Sequence, residues 1–187
     1  RPMSNLRSVI PYQTSVYRGC SADDLLEYDN YFRDYEVLGI VEPCTELSLT
    51  DCWYLPHHAI RQKGKLRVVF DGSFGRPSIN QLLQTGPNQL LTIPVCLTSF
   101  RLYSIPVVAD IEKAFLQVGI DPLDRDFLRF LVKRGGSLQQ FRFCRVPFGL
   151  CCSPALLNSC LSELHEKFSS VYPDVVSVLR RSMYCDD

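Results

Sequence analysis

The chain has 187 residues, 46% of them hydrophobic and 11% aromatic, with 20 Lys+Arg balanced by 20 Asp+Glu. That apolar content excludes a disordered chain, 10 Gly and 12 Pro exclude a collagen repeat, and no apolar run approaches the length a bilayer needs. One domain, or two small lobes around a sizeable core, fits this length.

Along the chain, Ser21 with Asp24 three residues on predicts a capping box, and Leu25, Tyr28, Phe32 and Tyr35 recur at helical spacing before Gly39. This predicts a helix with one buried stripe, ending at Leu38. Runs of β-favouring residues at 54–62 and 65–71 flank Lys63-Gly64, a hairpin signal. A loop rich in Gly, Pro, Ser and Asn spans 72–80, and a helix is expected near 93–103. Residues 105–111 read as a buried strand ending in an acid, and 116–120 as a continued extended segment. Asp121-Pro122 with Asp124 predicts a turn or a short helix start. Residues 127–132 and 139–146 alternate like strands around Gly135-Gly136, a second hairpin. Ser153 as cap, followed by Pro154 at the first helical position, opens a helix to Phe168, and a short helix follows Pro173. The expected class is α+β, a small antiparallel sheet with helices packed on one face. No secretory signal is present in these residues, which leaves an intracellular, cytoplasmic setting as the expectation. The nine cysteines, odd in number and never spaced C-x-x-C, read as reduced and mostly buried thiols.

Net neutrality hides a segregation of charge. Residues 21–51 hold nine acids and one base, Arg33, whereas 52–70 hold no acid but carry Arg61, Lys63, Lys65 and Arg67. Residues 127–162 again lack acids and carry Arg129, Lys133, Arg134, Arg142 and Arg145. Two readings are open: solvated strand faces, or a phosphate-binding groove. Lys65 and Arg67, two apart on one strand, project to the same face. His57-His58 with Cys44 and Cys52 fits no common zinc spacing, and adjacent histidines on a strand point to opposite faces.

Three acids follow β-type apolar runs: Asp110 after Pro106-Val107-Val108-Ala109, and Asp186-Asp187 after Ser182-Met183-Tyr184-Cys185. Carboxylates converging in a cleft repel unless a cation lies between them, and Mg²⁺ favours a few carboxylates plus phosphate oxygens and water. Paired metals of this kind activate a hydroxyl for in-line attack at phosphorus. An Asp-Asp dipeptide taken alone is as well read as a solvated turn.

The surrounding constellation adds a resemblance. Asp110-Ile111-Glu112-Lys113-Ala114-Phe115 resembles the first metal-binding motif of reverse transcriptases, and Tyr184-Cys185-Asp186-Asp187 resembles their Tyr-x-Asp-Asp box. Val146-Pro147-Phe148-Gly149-Leu150 with Ser153-Pro154 resembles the loop and helix lining the nucleotide pocket. Tyr54-Leu55-Pro56-His57-His58-Ala59 and Lys65-Leu66-Arg67-Val68-Val69-Phe70-Asp71 look like the fingers of the enzyme from Pao/BEL-class long-terminal-repeat retrotransposons. The resemblance covers roughly residues 36–187; residues 1–35 match nothing in it. It implies an RNA-directed DNA polymerase, a nucleotidyltransferase acting on deoxynucleoside triphosphates and an RNA or DNA template with primer. It further implies two Mg²⁺ ions, with Mn²⁺ able to substitute, held by Asp110, Asp186 and the Ile111 carbonyl, with Asp187 completing the acidic cluster. Lys65 and Arg67 would meet the triphosphate, with Arg67 the stronger candidate and Arg61 and Lys63 the weaker. Phe115 would floor the sugar and exclude a 2′-hydroxyl, and Phe148 and Gly149 would pack beside it. Tyr184 and Cys185 would lie against template-primer, Cys185 replacing the usual small aliphatic residue.

The same resemblance divides the chain into an acidic helical lead-in at 1–51, fingers at 52–92 and 119–150, and a truncated palm at 93–118 and 151–187. The Tyr-x-Asp-Asp box would sit at a hairpin turn whose returning strand is missing, as are the thumb and ribonuclease H segments of a parent polyprotein. The 187 residues alone are therefore expected to be inactive. The competing reading is a non-catalytic, decayed or domesticated remnant that folds and binds nucleic acid. Intact motif acids favour the enzyme, and the end at Asp187 favours the remnant.

Overall fold

The computed structural model describes residues 4–44, 51–87, 93–102, 104–105 and 107–184. Its helices among these residues are α1 (Leu6–Arg18), α2 (Ala22–Val37), α3 (Ile79–Leu82), α4 (Ile93–Phe100), α5 (Ala114–Gln117), α6 (Ser153–Phe168) and α7 (Pro173–Ser182). The strands are β1 (Val41–Pro43), β2 (His57–Gln62), β3 (Lys65–Phe70), β4 (Arg129–Arg134) and β5 (Ser137–Phe143). No helix among the described residues is long and apolar enough to cross a membrane.

Helix α1 carries no acid in its first turn and contains Pro11, so local signals argue against it. Burial holds it instead: Val9, Gln13 and Tyr17 recur every four residues and face inward. Helix α2 forms where its signals place it. The Asp24 amide donates to Ser21 Oγ and the Ser21 amide to the Asp24 carboxylate, a reciprocal cap. Tyr28 and Phe32 are buried, with Leu25 and Tyr35 packed against the same core.

Both hairpins close where glycine was expected to allow it. Lys63 and Gly64 have φ of 52° and 79°, and Gly135 and Gly136 of 56° and 83°, the left-handed pairs that suit tight antiparallel turns. Among the described residues the single small sheet that was expected is instead two antiparallel sheets, β1-β5-β4 and β2-β3. Segment 53–55 runs parallel beside β4, the Leu55 amide donating to the Arg129 carbonyl at 2.7 Å and the Arg129 amide to Trp53 at 2.9 Å. This junction carries the chain from one sheet to the other.

Between the sheets and α2 lies an aromatic core of Tyr17, Tyr28, Phe32, Phe70, Phe130, Phe141 and Phe143. Phe32 and Phe70 lie 5.2 Å and 4.8 Å from Phe130 and Phe143 respectively, in the range where ring pairs add about 0.5–1.5 kcal/mol each. His57 sits fully buried among these rings, its Nε2 2.9 Å from the Leu131 carbonyl. Gln13 serves the backbone of the same residue, donating to the His57 carbonyl at 3.0 Å and accepting from its amide at 3.1 Å.

Burial pushes the His57 imidazole down to about 4 from an ordinary 6.5, so it is neutral in the fold, and neighbouring His58 adds to that. The unfolded chain binds this proton at higher pH than the folded one does. Stability is therefore complete above about pH 6.5 and falls as pH drops toward 4, by roughly 3 kcal/mol in all. The ion-paired carboxylates Asp29, Glu42 and Asp126 are held below their usual range, so their contribution fades only below about pH 4. Urea midpoints measured from pH 4 to 7 should show this slope, and His57→Gln should flatten it. An equal slope in parent and variant would assign the pH dependence to another group.

Several sequence expectations need correction. Residues 107–111 form no strand, and Ile105, Val107 and Val108 are 81%, 80% and 76% exposed. Extended backbone becomes a strand only when a neighbour takes up its ladder bonds, and no described residue does so here. Segment 116–120 begins as the one-turn helix α5 and becomes extended only from Val118, because Lys113 at φ 53° starts a tight turn that buries Ala114 and Leu116. Ser153 does not cap α6; Cys152 holds that position, and the buried Ser153 hydroxyl donates to the Pro147 carbonyl at 2.9 Å. Of the eight described cysteines only Cys52 is buried; six are half-buried and Cys160 is exposed, five of these seven sitting at element ends rather than within the core.

Candidate functional site

The two basic stretches meet different fates. Arg61 is bound by Asp24 at 2.6 Å and Glu27 at 3.0 Å, and Arg134 by Asp29 at 2.7 Å and by Glu36, all four acids on α2. Arg142 pairs with Glu42 at 2.7 Å and Asp126 at 2.9 Å, while Arg125 also reaches Glu42. Arg129 is almost wholly buried, donating to Asp126 at 3.0 Å and to the Tyr54 hydroxyl at 3.3 Å. Burial alone would raise the Asp29 carboxyl, but the bonds from Arg33 and Arg134 outweigh it and hold it below the usual carboxylate range. The acidic segment thus spends itself on the arginines of both hairpins. A groove built from both basic stretches is ruled out for Arg61, Arg129, Arg134 and Arg142, because a guanidinium already bound by carboxylates offers little to a phosphate.

Lys65 and Arg67 escape this pairing. Strand β3 alternates exposed and covered residues, which places both on its outer face opposite Gln62 and Ile60, while Leu66, Val68 and Phe70 turn inward. Neither forms an ion pair among the described residues. Arg67 is three residues before Phe70, about 10 Å along an extended strand. At that end the chain meets the 147–149 loop. A Cβ on Gly149, which has φ 97°, would lie 2.4 Å from the Phe70 carbonyl oxygen, and one on Gly72 would lie 2.5 Å from the Gly149 oxygen. Both positions therefore require glycine: the backbones approach more closely than a side chain permits.

Phe148 on this loop meets Phe115 on α5, ring centroids 5.0 Å apart at 69°. A short bridge brings them together. Gly119 pairs with Arg145, the Ile120 amide donating to Cys144 at 2.9 Å and the Val146 amide to Val118 at 2.9 Å. Phe115 is four residues before this bridge and Phe148 three after it, so both fall on the same side. Phe148 is 49% exposed and Phe115 half-buried, unlike the closed rings of the core. The pair leaves an aromatic face open to a ligand.

Asp110 lies five residues before Phe115, exposed, with no hydrogen bond or ion pair among the described residues; Ile111 beside it is half-buried. Tyr184 is half-buried after α7. Cys185, Asp186 and Asp187 lie outside the described residues, as therefore does the separation of Asp110 from Asp186. Among the described residues no group of three or more His, Cys, Asp and Glu could hold a metal ion. The structure thus brings together Phe115, Phe148 and Gly149 at the end of the strand bearing Lys65 and Arg67. Sequence reasoning missed Asn80, which bonds this loop; its only signal was its place in the Gly- and Ser-rich stretch at 72–80.

A family model described as reverse transcriptase (RNA-dependent DNA polymerase) matches residues 60–187. No curated protein matches the chain.

Proposed function

From the premise that this chain belongs to the reverse transcriptase (RNA-dependent DNA polymerase) family, we propose that it comprises fingers and palm residues of a Pao/BEL-type retrotransposon polymerase. Its substrates are deoxynucleoside triphosphates and a primed RNA or DNA template, joined by attack of the primer 3′-hydroxyl on the α-phosphate. In this reading the fingers comprise 52–92 and 119–150, and the palm 93–118 and 151–187. The observation that carries it is the open Phe115–Phe148 pair seated at the end of the strand presenting Lys65 and Arg67. An aromatic floor at the end of a strand whose outer face carries two cations, unpaired among the described residues, suits a sugar and its triphosphate.

Asp110 fits a metal ligand in kind: an exposed carboxylate that no described cation neutralises, next to the Ile111 carbonyl, offers the hard oxygen donors Mg²⁺ prefers. Asp186 completes the proposed donor set, and Asp187 completes the acidic cluster beside it. Two bound Mg²⁺ ions would supply activation of the hydroxyl and neutralisation of the leaving oxygen. The chain's own residues do the positioning. Lys65 and Arg67 hold the phosphates, Phe115 closes the space that a 2′-hydroxyl would occupy, and Phe148 with Gly149 lets the backbone come up to the sugar. Tyr184 and Cys185 stand against template-primer, whose grip is otherwise electrostatic and salt-sensitive.

Phe115→Ala tests the assignment. Primer extension by the full-length protein should then accept ribonucleotides about 10- to 200-fold better relative to deoxynucleotides, the range that a steric contact of this size commands. Unchanged discrimination would move the sugar gate elsewhere. Binding of template-primer with no Mg²⁺-dependent extension by the parent would favour the non-catalytic remnant.

A further inference from the structure

We infer that Asn80 is a positioning residue, pinning the 147–151 loop onto the end of β3 and so fixing where Phe148 and Gly149 stand beside Phe115. The inference rests on the reading of that loop as the sugar side of a nucleotide site.

One side-chain amide joins two backbone groups and a hydroxyl. Asn80 Nδ2 donates to the Gly149 carbonyl at 3.0 Å and to Ser73 Oγ at 3.1 Å, while Oδ1 accepts from the Cys151 amide at 2.9 Å. The orientation of the side chain is dictated by its partners, since a carbonyl only accepts and a backbone amide only donates. The Asn80 backbone is itself tied down: its amide donates to the Gly72 carbonyl at 3.0 Å, and its carbonyl accepts from Cys151 Sγ at 3.4 Å. Behind it, the Ser78 amide donates to Gln81 Oε1 at 3.0 Å, which secures the one-turn helix α3.

These bonds stand where two backbones meet directly. Gly72 and Gly149 lie too close for any side chain between them, so hydrogen bonds hold that contact, while Leu150 of the same loop packs into the core with Phe70. The Ser153 hydroxyl on the Pro147 carbonyl fastens the loop to α6, and Asn80 fastens it to residues 72–73, which directly follow β3. Aspartate would keep the acceptor for Cys151 but place a carboxylate against the Gly149 carbonyl, and glutamine would be one methylene too long. Asparagine alone offers donor and acceptor at this reach.

Amide exchange, read residue by residue, separates this role from general stabilisation. In Asn80→Ala the amides of 149–152 should exchange about tenfold faster or more, while those of Phe130 and Phe141 hold their rates. Asn80→Asp should recover protection at Cys151 and leave Gly149 untethered. Deoxynucleotide affinity, titrated on the template-primer complex, should weaken about tenfold in Asn80→Ala with template-primer affinity unchanged. Unaltered exchange at 149–152, equal acceleration throughout the core, or a loosened loop with undiminished nucleotide affinity would each overturn the inference. If the parent binds no deoxynucleotide, the functional reading falls, and the exchange pattern alone decides whether Asn80 holds the loop.

Discussion

Deleting residues 1–44 should leave the remaining chain without a cooperative thermal transition, although residues 60–187 are the part that matches the family. The deletion removes Val9, Tyr17, Tyr28, Phe32 and Val41 from the buried core, and strand β1 from its sheet. It also leaves Arg61, Arg134 and Arg142 without the acids of α2 and β1 that bind them. Truncating one large buried aromatic costs about 3–5 kcal/mol, whereas whole domains hold about 5–15 kcal/mol in reserve. Losing three such rings together costs about 9–15 kcal/mol, which matches the whole of that reserve. Phe32→Ala isolates one contribution: its ring is fully buried against Tyr28, His57, Phe70 and Phe130, so about 3–5 kcal/mol of stability should vanish. Circular dichroism melts of both variants provide the measurement. A sharp transition in the 45–187 chain near that of the parent would mean that the two leading helices are an appendage.

Asp110→Asn should lower nucleotide addition roughly a thousandfold or more while leaving the fold untouched. The two residues are isosteric, and Asp110 is exposed with no bonded partner among the described residues, so nothing in the packing notices the exchange. What changes is charge. Phosphoryl transfer asks the protein chiefly for placement and neutralisation, and a carboxylate that anchors divalent cations supplies several kcal/mol of it, where each 1.4 kcal/mol is about tenfold in rate. Primer extension by the full-length protein, set beside template-primer binding and a thermal melt, separates the outcomes. Lost extension with intact binding and melting supports the proposed role. Retained extension removes Asp110 from the reaction.

Much of the local architecture was legible because its signals are local. Ser21 and Asp24 cap α2 from three residues apart, and Lys63-Gly64 and Gly135-Gly136 set the hairpin turns by their own backbone freedom. Alternation along β3 sufficed to put Lys65 and Arg67 on one face. Where a local signal pointed the wrong way, a distant partner was the reason. Pro11 lies inside α1, where a proline weakens a helix, yet α1 holds where Gln13 bonds His57 44 residues away. Residues 107–111 looked like a strand, yet no described neighbour takes their ladder bonds.

The α2 helix, the two hairpins, the order of the motifs and the residue types offered to phosphate, sugar and metal are thus set by the order of residues along the chain. Which of those residues remain free for such work depends on how distant segments pack. Arg134 and Asp29, 105 residues apart, meet and cancel, while Arg67 meets no acid among the described residues. Phe115 and Phe148 face each other because Gly119 pairs with Arg145, and Asn80 reaches Gly149 across 69 residues. The physical reason is range: caps, turns and alternation act through a few neighbouring dihedrals, whereas an ion pair or a hydrogen bond falls off within a few ångströms and exists only once packing has closed the distance.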